Sequence, residues 1–156
     1  MSTISVEHIN PFLSASTKVL REMCSIDVVV GKPYIKQPVF LNDTLVIIIG
    51  LTGERKGQVM IVLEEKVACD IASKMMMMPV AKMDELAESA ISELGNMIMG
   101  NAATIFSTKG IAIDITPPTL GRGTMSFTSS YAQNICIPLK YGDNYIIEIN
   151  ITIKMK

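Results

Sequence analysis

Apolar residues recur at helical spacing in three stretches of the chain. These stretches are 5–24, 64–77 and 84–109, of which the last is the longest. Apolar side chains that return every three or four residues lie on one side of a helix. Asn10-Pro11 suits a helix start, with proline at the first helical position, or a proline inside the first turn of a helix that begins at Ser5. Gly110 follows the third stretch and is predicted to cap that helix.

Shorter apolar runs, rich in β-branched residues, are typical of strands. They cover 27–35, 44–51, 57–63, 111–116, 124–128, 133–141 and 145–154. Polar turns are predicted at 52–57 and 142–144. In the last run Glu148, Asn150 and Thr152 alternate with isoleucines, which predicts a strand with one face in solvent.

The order of these elements is one helix, three strands, two helices and four strands. Such an order leaves little room for parallel crossovers, so we expect an α+β fold. Its sheet should be antiparallel, with the long helices packed on one face. No linker, charge block or repeat divides residues 1–156, which predicts a single domain.

Composition excludes several functional classes. The chain is 49% apolar with a net charge of −1, which argues against disorder, and it has no basic stripe for a nucleic acid. No apolar run is long enough to span a bilayer, so no membrane partner is expected. Three separated cysteines and a single histidine favour neither a disulfide framework nor a zinc site. The first ten residues lack the layout of a signal peptide, which predicts a cytoplasmic protein.

The predicted helix at 84–109 has an unusual polar face. Glu93 and Asn96 are three residues apart and project together, among small residues instead of long charged ones. Gly95 and Gly100 lie inside the helix, where each costs about 1 kcal/mol relative to alanine. Either another molecule approaches this face closely, or the face packs on a neighbouring element that satisfies both polar side chains.

A carboxylate and a carboxamide without a nucleophile or a metal cluster suit hydrolysis by an oriented water. An asparagine donates and accepts hydrogen bonds at once, so Asn96 could hold a water in line with a phosphoryl group. Glu93 could pair with a lysine of a partner protein and align the two molecules. The phosphoryl group and its divalent ion would then belong to the partner.

The residues around this pair resemble the signature of the CheC/CheX/FliY family of bacterial chemotaxis phosphatases. The resemblance runs from Ser89 to Ala102, with the pattern Ser/Asp-x-x-x-Glu-x-x-Asn and a following Gly-Asn-Ala, and Pro117-Pro118 lies downstream. The Ile-Asn-Pro-Phe at 9–12 and the order of the elements also resemble the CheX type. CheC-like members carry two copies of the motif. A second Glu-x-x-Asn here, at 7–10, lacks the Gly-Asn-Ala and is interpreted as coincidence, which favours the CheX type.

The resemblance implies a phosphatase that hydrolyses the aspartyl phosphate of a CheY-like response regulator. Asn96 matches the residue that orients the water, and Glu93 matches the one that contacts the regulator's active-site lysine. Ser89, Ser92 and Gly100 are expected to line the contact with the partner. The resemblance also implies a homodimer, no cofactor of the chain's own, and Mg²⁺ in the regulator's phosphorylation site.

A non-catalytic adaptor that binds a response regulator or a flagellar motor component remains the alternative. Other features have simpler interpretations. The methionines at 75–78 are predicted to fill the core, and Gly121-Arg122-Gly123 is predicted to be a mobile loop beside the long helix. Asn101 is expected to be a buried amide bonded to backbone near the helix.

Overall fold

The computed structural model describes residues 6–37, 39–41, 43–126 and 133–154. Its three helices are α1 (Val6–Cys24), α2 (Glu65–Met76) and α3 (Glu85–Thr108). The strands of the described residues, in chain order, are β1 (Val29–Val30), β2 (Tyr34–Ile35), β3 (Val39–Phe40), β4 (Thr44–Gly53), β5 (Lys56–Glu64), β6 (Ile113–Ile115), β7 (Thr119–Arg122), β8 (Met125–Ser126), β9 (Ile135–Tyr141) and β10 (Tyr145–Lys154).

Eight strands form one antiparallel sheet in the order β1-β9-β10-β5-β4-β6. Strand β2 pairs with β9 on the same edge as β1, and β7 pairs with β4 on the same edge as β6. Strands β3 and β8 form a separate two-stranded sheet. Leu45, Ile47 and Ile49 of β4 share a core with the buried faces of all three helices. Helices therefore pack on one face of an antiparallel sheet, which confirms the predicted α+β fold.

The ends of α3 follow from local hydrogen bonding. The Asp84 carboxylate accepts from the backbone N–H of Ala87 at 2.9 Å, which caps the first turn. At the other end Gly110 has a φ of +79° and its N–H donates to the Ser107 carbonyl, so the predicted glycine cap is confirmed. No helix of the described residues is long and apolar enough to cross a membrane.

One strand prediction and one loop prediction were wrong. The run 27–35 is divided into β1 and β2, because Pro33 offers no N–H to the ladder, whereas Gly31 still donates its N–H to the Pro138 carbonyl at 2.7 Å. The predicted loop at Gly121-Arg122-Gly123 contains the end of β7, which pairs with the free edge of β4. Of the predicted strand 124–128, the structure shows Met125–Ser126, and residues 127 and 128 lie outside the described part.

The predicted solvent face of β10 is largely buried. Asn150 and Thr152 are 0% and 5% exposed, because Asn134 lies beside them and joins both through its side chain. The Asn134 amide donates to Asn150 Oδ1 at 2.8 Å and accepts from the Thr152 hydroxyl at 3.2 Å. These bonds offset the cost of burying Asn134, Thr152 and the Asn150 oxygen, whereas Asn150 Nδ2 has no hydrogen-bond partner among the described residues. The exposure predicted from alternation was therefore wrong for Asn150 and Thr152.

The methionine prediction holds for half of the run. Met75 and Met76 are half-buried against the core, as expected. Met77 and Met78 are 91% and 52% exposed, because Met77 adopts a left-handed conformation (φ 56°) that ends α2 and turns the chain outward.

Candidate functional site

The open face of α3 carries the two polar residues that the sequence singled out. Glu93 and Asn96 lie one turn apart and are both exposed. Within the described part of the chain neither side chain makes a hydrogen bond or an ion pair. A neighbouring element therefore does not satisfy this pair, and both groups are available to a second molecule.

A groove of about 400 Å³ runs beside these residues. One wall is the flank of α3 and the other is the segment 118–120, which leads into β7. The lining residues are Glu85, Glu88, Ser89, Ser92, Glu93, Asn96, Pro118 and Leu120. Four of the five predicted site residues, Ser89, Ser92, Glu93 and Asn96, thus come together, whereas Gly100 lies one turn further along α3 and does not line the groove.

The lack of a side chain at Gly95 allows α3 to pack closely on the sheet. A Cβ atom at this position would lie 2.7 Å from Cγ2 of Ile47 in β4, a distance that real Cβ atoms do not show. Ile47 pairs with Leu120 of β7, so the second wall lies one strand spacing away from the contact. Because Gly95 has no side chain, α3 can pack closely on β4, the strand with which β7 pairs.

Gly100 has a different environment. A Cβ atom built there would meet no heavy atom within 4 Å. Nothing in the packing of the chain thus requires glycine at this half-exposed position, although glycine in a helix interior costs about 1 kcal/mol relative to alanine. A close approach of another molecule would account for it.

The ionic groups at one end of the groove are paired. The Arg122 guanidinium donates to Glu88 Oε2 at 2.9 Å and to the Met83 carbonyl at 3.3 Å, and it lies 3.5 Å from Glu65 Oε2. The guanidinium thereby compensates the negative charge of Glu88, whereas Glu93 has no such counter-ion among the described residues. This pairing could not be predicted from sequence, because Arg122 and Glu88 are 34 residues apart.

The cysteines do not supply a thiolate nucleophile. Burial raises the pKa of Cys24 and of Cys136 to about 11, and burial also raises the pKa of Cys69. All three thiols are therefore protonated near neutral pH. Among the described residues, no three His, Cys, Asp or Glu side chains lie together as a possible metal site.

Asn101 has the bonding predicted for it. Its amide Nδ2 donates to the Met97 carbonyl of its own helix at 2.8 Å, and the side chain is half-buried where full burial was expected. The second wall was not predicted from sequence. The only local signal for it was Pro117-Pro118, which fixes an extended chain just before Leu120.

Comparison with known proteins identifies the family. The family model described as chemotaxis phosphatase CheX matches residues 45–140. The chain belongs to the CheX family of chemotaxis phosphatases. The curated CheY-P phosphatase CheX of Thermotoga maritima is 29% identical over 147 residues, which cover 94% of this chain and 95% of that protein. The predicted family and enzyme class are thus confirmed.

Solved structures of CheX and CheC-like proteins share the fold. A CheC-like superfamily protein from Shewanella is 28% identical with a TM-score of 0.87, and the match covers 97% of this chain and all of that one. A chain in the CheX-CheY-BeF3-Mg²⁺ complex from Borrelia burgdorferi is 30% identical with a TM-score of 0.83, again over 97% of this chain and all of that one. The chain thus shares its fold with a chain of the CheX-CheY complex.

Proposed function

We propose that this CheX-type phosphatase hydrolyses the aspartyl phosphate of a CheY-like response regulator on the open face of α3. The observation that carries the proposal is the unpartnered pair Glu93 and Asn96 at the edge of a groove. The relative from Thermotoga maritima is a CheY-P phosphatase, and the Borrelia burgdorferi structure contains CheY with Mg²⁺. Both relatives support a CheY-like substrate for this chain.

In the proposed reaction Asn96 holds the attacking water. Its Oδ1 accepts a hydrogen bond from the water, and its amide N–H groups remain free to donate to a phosphoryl oxygen. The water oxygen forms a bond to phosphorus as the bond to the aspartate oxygen breaks, which releases inorganic phosphate and restores the carboxylate. Phosphoryl transfer depends mainly on placement and electrostatics, so a rigid helix is a suitable support for this amide.

Glu93 has the proposed role of docking. An unpaired carboxylate one turn from Asn96 can pair with the lysine of the regulator's active site. The regulator supplies Mg²⁺, which offsets the negative charge of the phosphoryl group. Ser89, Ser92 and Gly100 surround the pair and are small enough to let the regulator's surface approach the helix.

An acceleration of about 10²–10³-fold would require roughly 3–4 kcal/mol of transition-state stabilisation. One well-placed amide in a site from which bulk water is excluded contributes an effect of that order. No further catalytic group is therefore needed to account for such a rate.

The proposal includes a homodimer in the cytoplasm, where phosphorylated response regulators act. Exposed apolar side chains at the β1–β2 edge and in β3 support self-association, because edges of this kind pair readily. Val29, Ile35 and Val39 are 70%, 61% and 52% exposed. Light scattering on the purified chain should give the mass of two protomers, and a monomer at micromolar concentration would remove this part of the proposal.

Phosphate release from a phosphorylated CheY-like regulator with Mg²⁺ tests the proposed function. The chain should accelerate release, Asn96→Ala should abolish the acceleration, and Asn101→Ala, a second asparagine of the same helix, should retain it. If the chain binds the regulator but accelerates nothing, it is an adaptor. If Asn96→Ala keeps the full rate, another group orients the water.

A further inference from the structure

The second wall of the groove is joined to α3 through one side chain. Arg122 stands at the end of β7, two residues after Leu120 of the wall. Its guanidinium reaches Glu88 of α3 at 2.9 Å, the Met83 carbonyl just before α3 at 3.3 Å, and Glu65 of α2 at 3.5 Å. The Arg122 guanidinium thus connects β7 to α3, to the segment before α3 and to α2.

Glu65 contributes to the same assembly from a second direction. Its Oε2 accepts a hydrogen bond from the backbone N–H of Met83 at 3.5 Å, and Met83 itself is 5% exposed. The segment before α3 is therefore bonded through its carbonyl to Arg122 and through its N–H to Glu65. The network thereby connects the start of α3 to β7, and the groove lies between the flank of α3 and the segment that leads into β7.

The stability that this network adds is small. The side chains of Arg122, Glu88 and Glu65 are 43%, 30% and 39% exposed, and ion pairs as exposed as these contribute little to folding. The planar guanidinium differs from an ammonium group in that its several N–H donors have a fixed geometry. Its main effect is thus expected on the relative placement of the two walls.

We propose that Arg122 is a positioning residue for regulator docking: by bridging Glu88, Glu65 and Met83 it holds the wall at 118–120 beside Glu93 and Asn96. The inference rests on the proposed function, because the occupant of the groove is the surface around the regulator's phosphorylation site. Arg122 acts through the shape of the groove and does not touch the reacting atoms.

Steady-state dephosphorylation and binding to the BeF3-loaded regulator test this role together. For Arg122→Ala we expect KM and Kd to rise about three- to tenfold, with kcat within about twofold of the wild-type value. Arg122→Lys should recover only part of the affinity, because an ammonium group keeps the charge without the fork of donors. Arg21→Ala is the matched control, since it removes an exposed arginine paired with Asp27 at 2.7 Å outside the groove.

Glu88→Ala separates positioning from direct contact with the regulator. If Arg122 acts through Glu88, this variant should also raise Kd, and the double variant should be less affected than the sum of the two single effects. A raised Kd for Arg122→Ala with an unchanged Kd for both Glu88→Ala and Glu65→Ala would mean that the arginine contacts the regulator itself, which overturns the inference. An unchanged Kd for Arg122→Ala overturns it as well. Because Kd is measured without turnover, either result is distinguishable from a failure of the proposed hydrolysis.

Discussion

Helix α3 carries two glycines and two asparagines that can be compared, because the two residues of each type have opposite environments. Gly95 and Gly100 are five residues apart, yet a Cβ at Gly95 would collide with Ile47 whereas a Cβ at Gly100 would meet nothing. Asn101 bonds to the backbone of its helix, whereas Asn96 bonds to nothing within the described chain. The packing of the chain explains the residues of the buried face. The packing of the described residues does not explain those of the open face, for which the proposed docking of a regulator would account.

Among the variants that act on docking or on stability, the largest effect is expected at Glu93. Glu93→Ala should raise KM for the phosphorylated regulator about thirtyfold or more, since it leaves the partner's lysine unpaired in the interface. Stability should change by less than about 0.5 kcal/mol, because the side chain is exposed and unpartnered. Steady-state kinetics and urea unfolding measure the two quantities. Glu22→Ala, another exposed glutamate but on α1, should leave KM unchanged. A KM for Glu93→Ala equal to that of Glu22→Ala would remove Glu93 from the docking surface.

Gly95→Ala should act on the other face. The added methyl group meets Ile47 at 2.7 Å, so we expect a loss of about 1–3 kcal/mol in the free energy of unfolding. The double variant Gly95→Ala with Ile47→Ala tests the cause, because it removes Cγ2, the atom that the new Cβ meets, and should therefore lose less stability than the two single variants added together. Unfolding of the single variant at the wild-type urea concentration would show that α3 does not depend on this close contact.

Gly100→Ala should separate stability from function. Because the new Cβ meets nothing, the helix should gain up to about 1 kcal/mol of stability. The affinity for the regulator should nevertheless fall several-fold, since the methyl group keeps the partner's surface away from α3. Thermal unfolding and the Kd for the BeF3-loaded regulator are the measurements. A more stable variant with unchanged Kd and rate would mean that the partner does not approach α3 closely at Gly100.

The smallest effect on activity is expected for Asn101→Ala. Loss of the 2.8 Å bond to the Met97 carbonyl should cost about 0.5–1.5 kcal/mol of stability, offset in part by the better helix propensity of alanine. Activity per folded molecule should remain that of the wild type. A large loss of kcat would instead bring Asn101 into the catalytic site and end the contrast between the two asparagines.

The open face of α3 was predictable from sequence because it depends on local spacing. A spacing of three residues places Glu93 and Asn96 on one side of any helix. The predicted helix, 84–109, begins and ends one residue outside the observed Glu85–Thr108. The antiparallel sheet followed similarly from the order of the elements. These features require no knowledge of what lies next to them.

The second wall was not predictable, because it depends on contacts between distant parts of the chain. Segment 119–122 is polar and glycine-containing, and it becomes a strand only because β4 offers a free edge. The pairing of Arg122 with Glu88 spans 34 residues. Burial of Asn150 depends likewise on Asn134, which approaches it from the neighbouring strand region. Hydrophobic periodicity does not contain such information.

Single-turnover dephosphorylation at saturating concentrations of the chain tests the central claim most directly, because differences in binding then no longer affect the rate. The phosphorylated regulator should decay rapidly with the wild-type chain and at its own unassisted rate with Asn96→Ala. The Kd of Asn96→Ala for the BeF3-loaded regulator should rise no more than about threefold, since docking depends mainly on Glu93 and one amide hydrogen bond to the phosphoryl group adds little. Decay at the wild-type rate with Asn96→Ala would contradict the assignment of hydrolysis to the open face of α3.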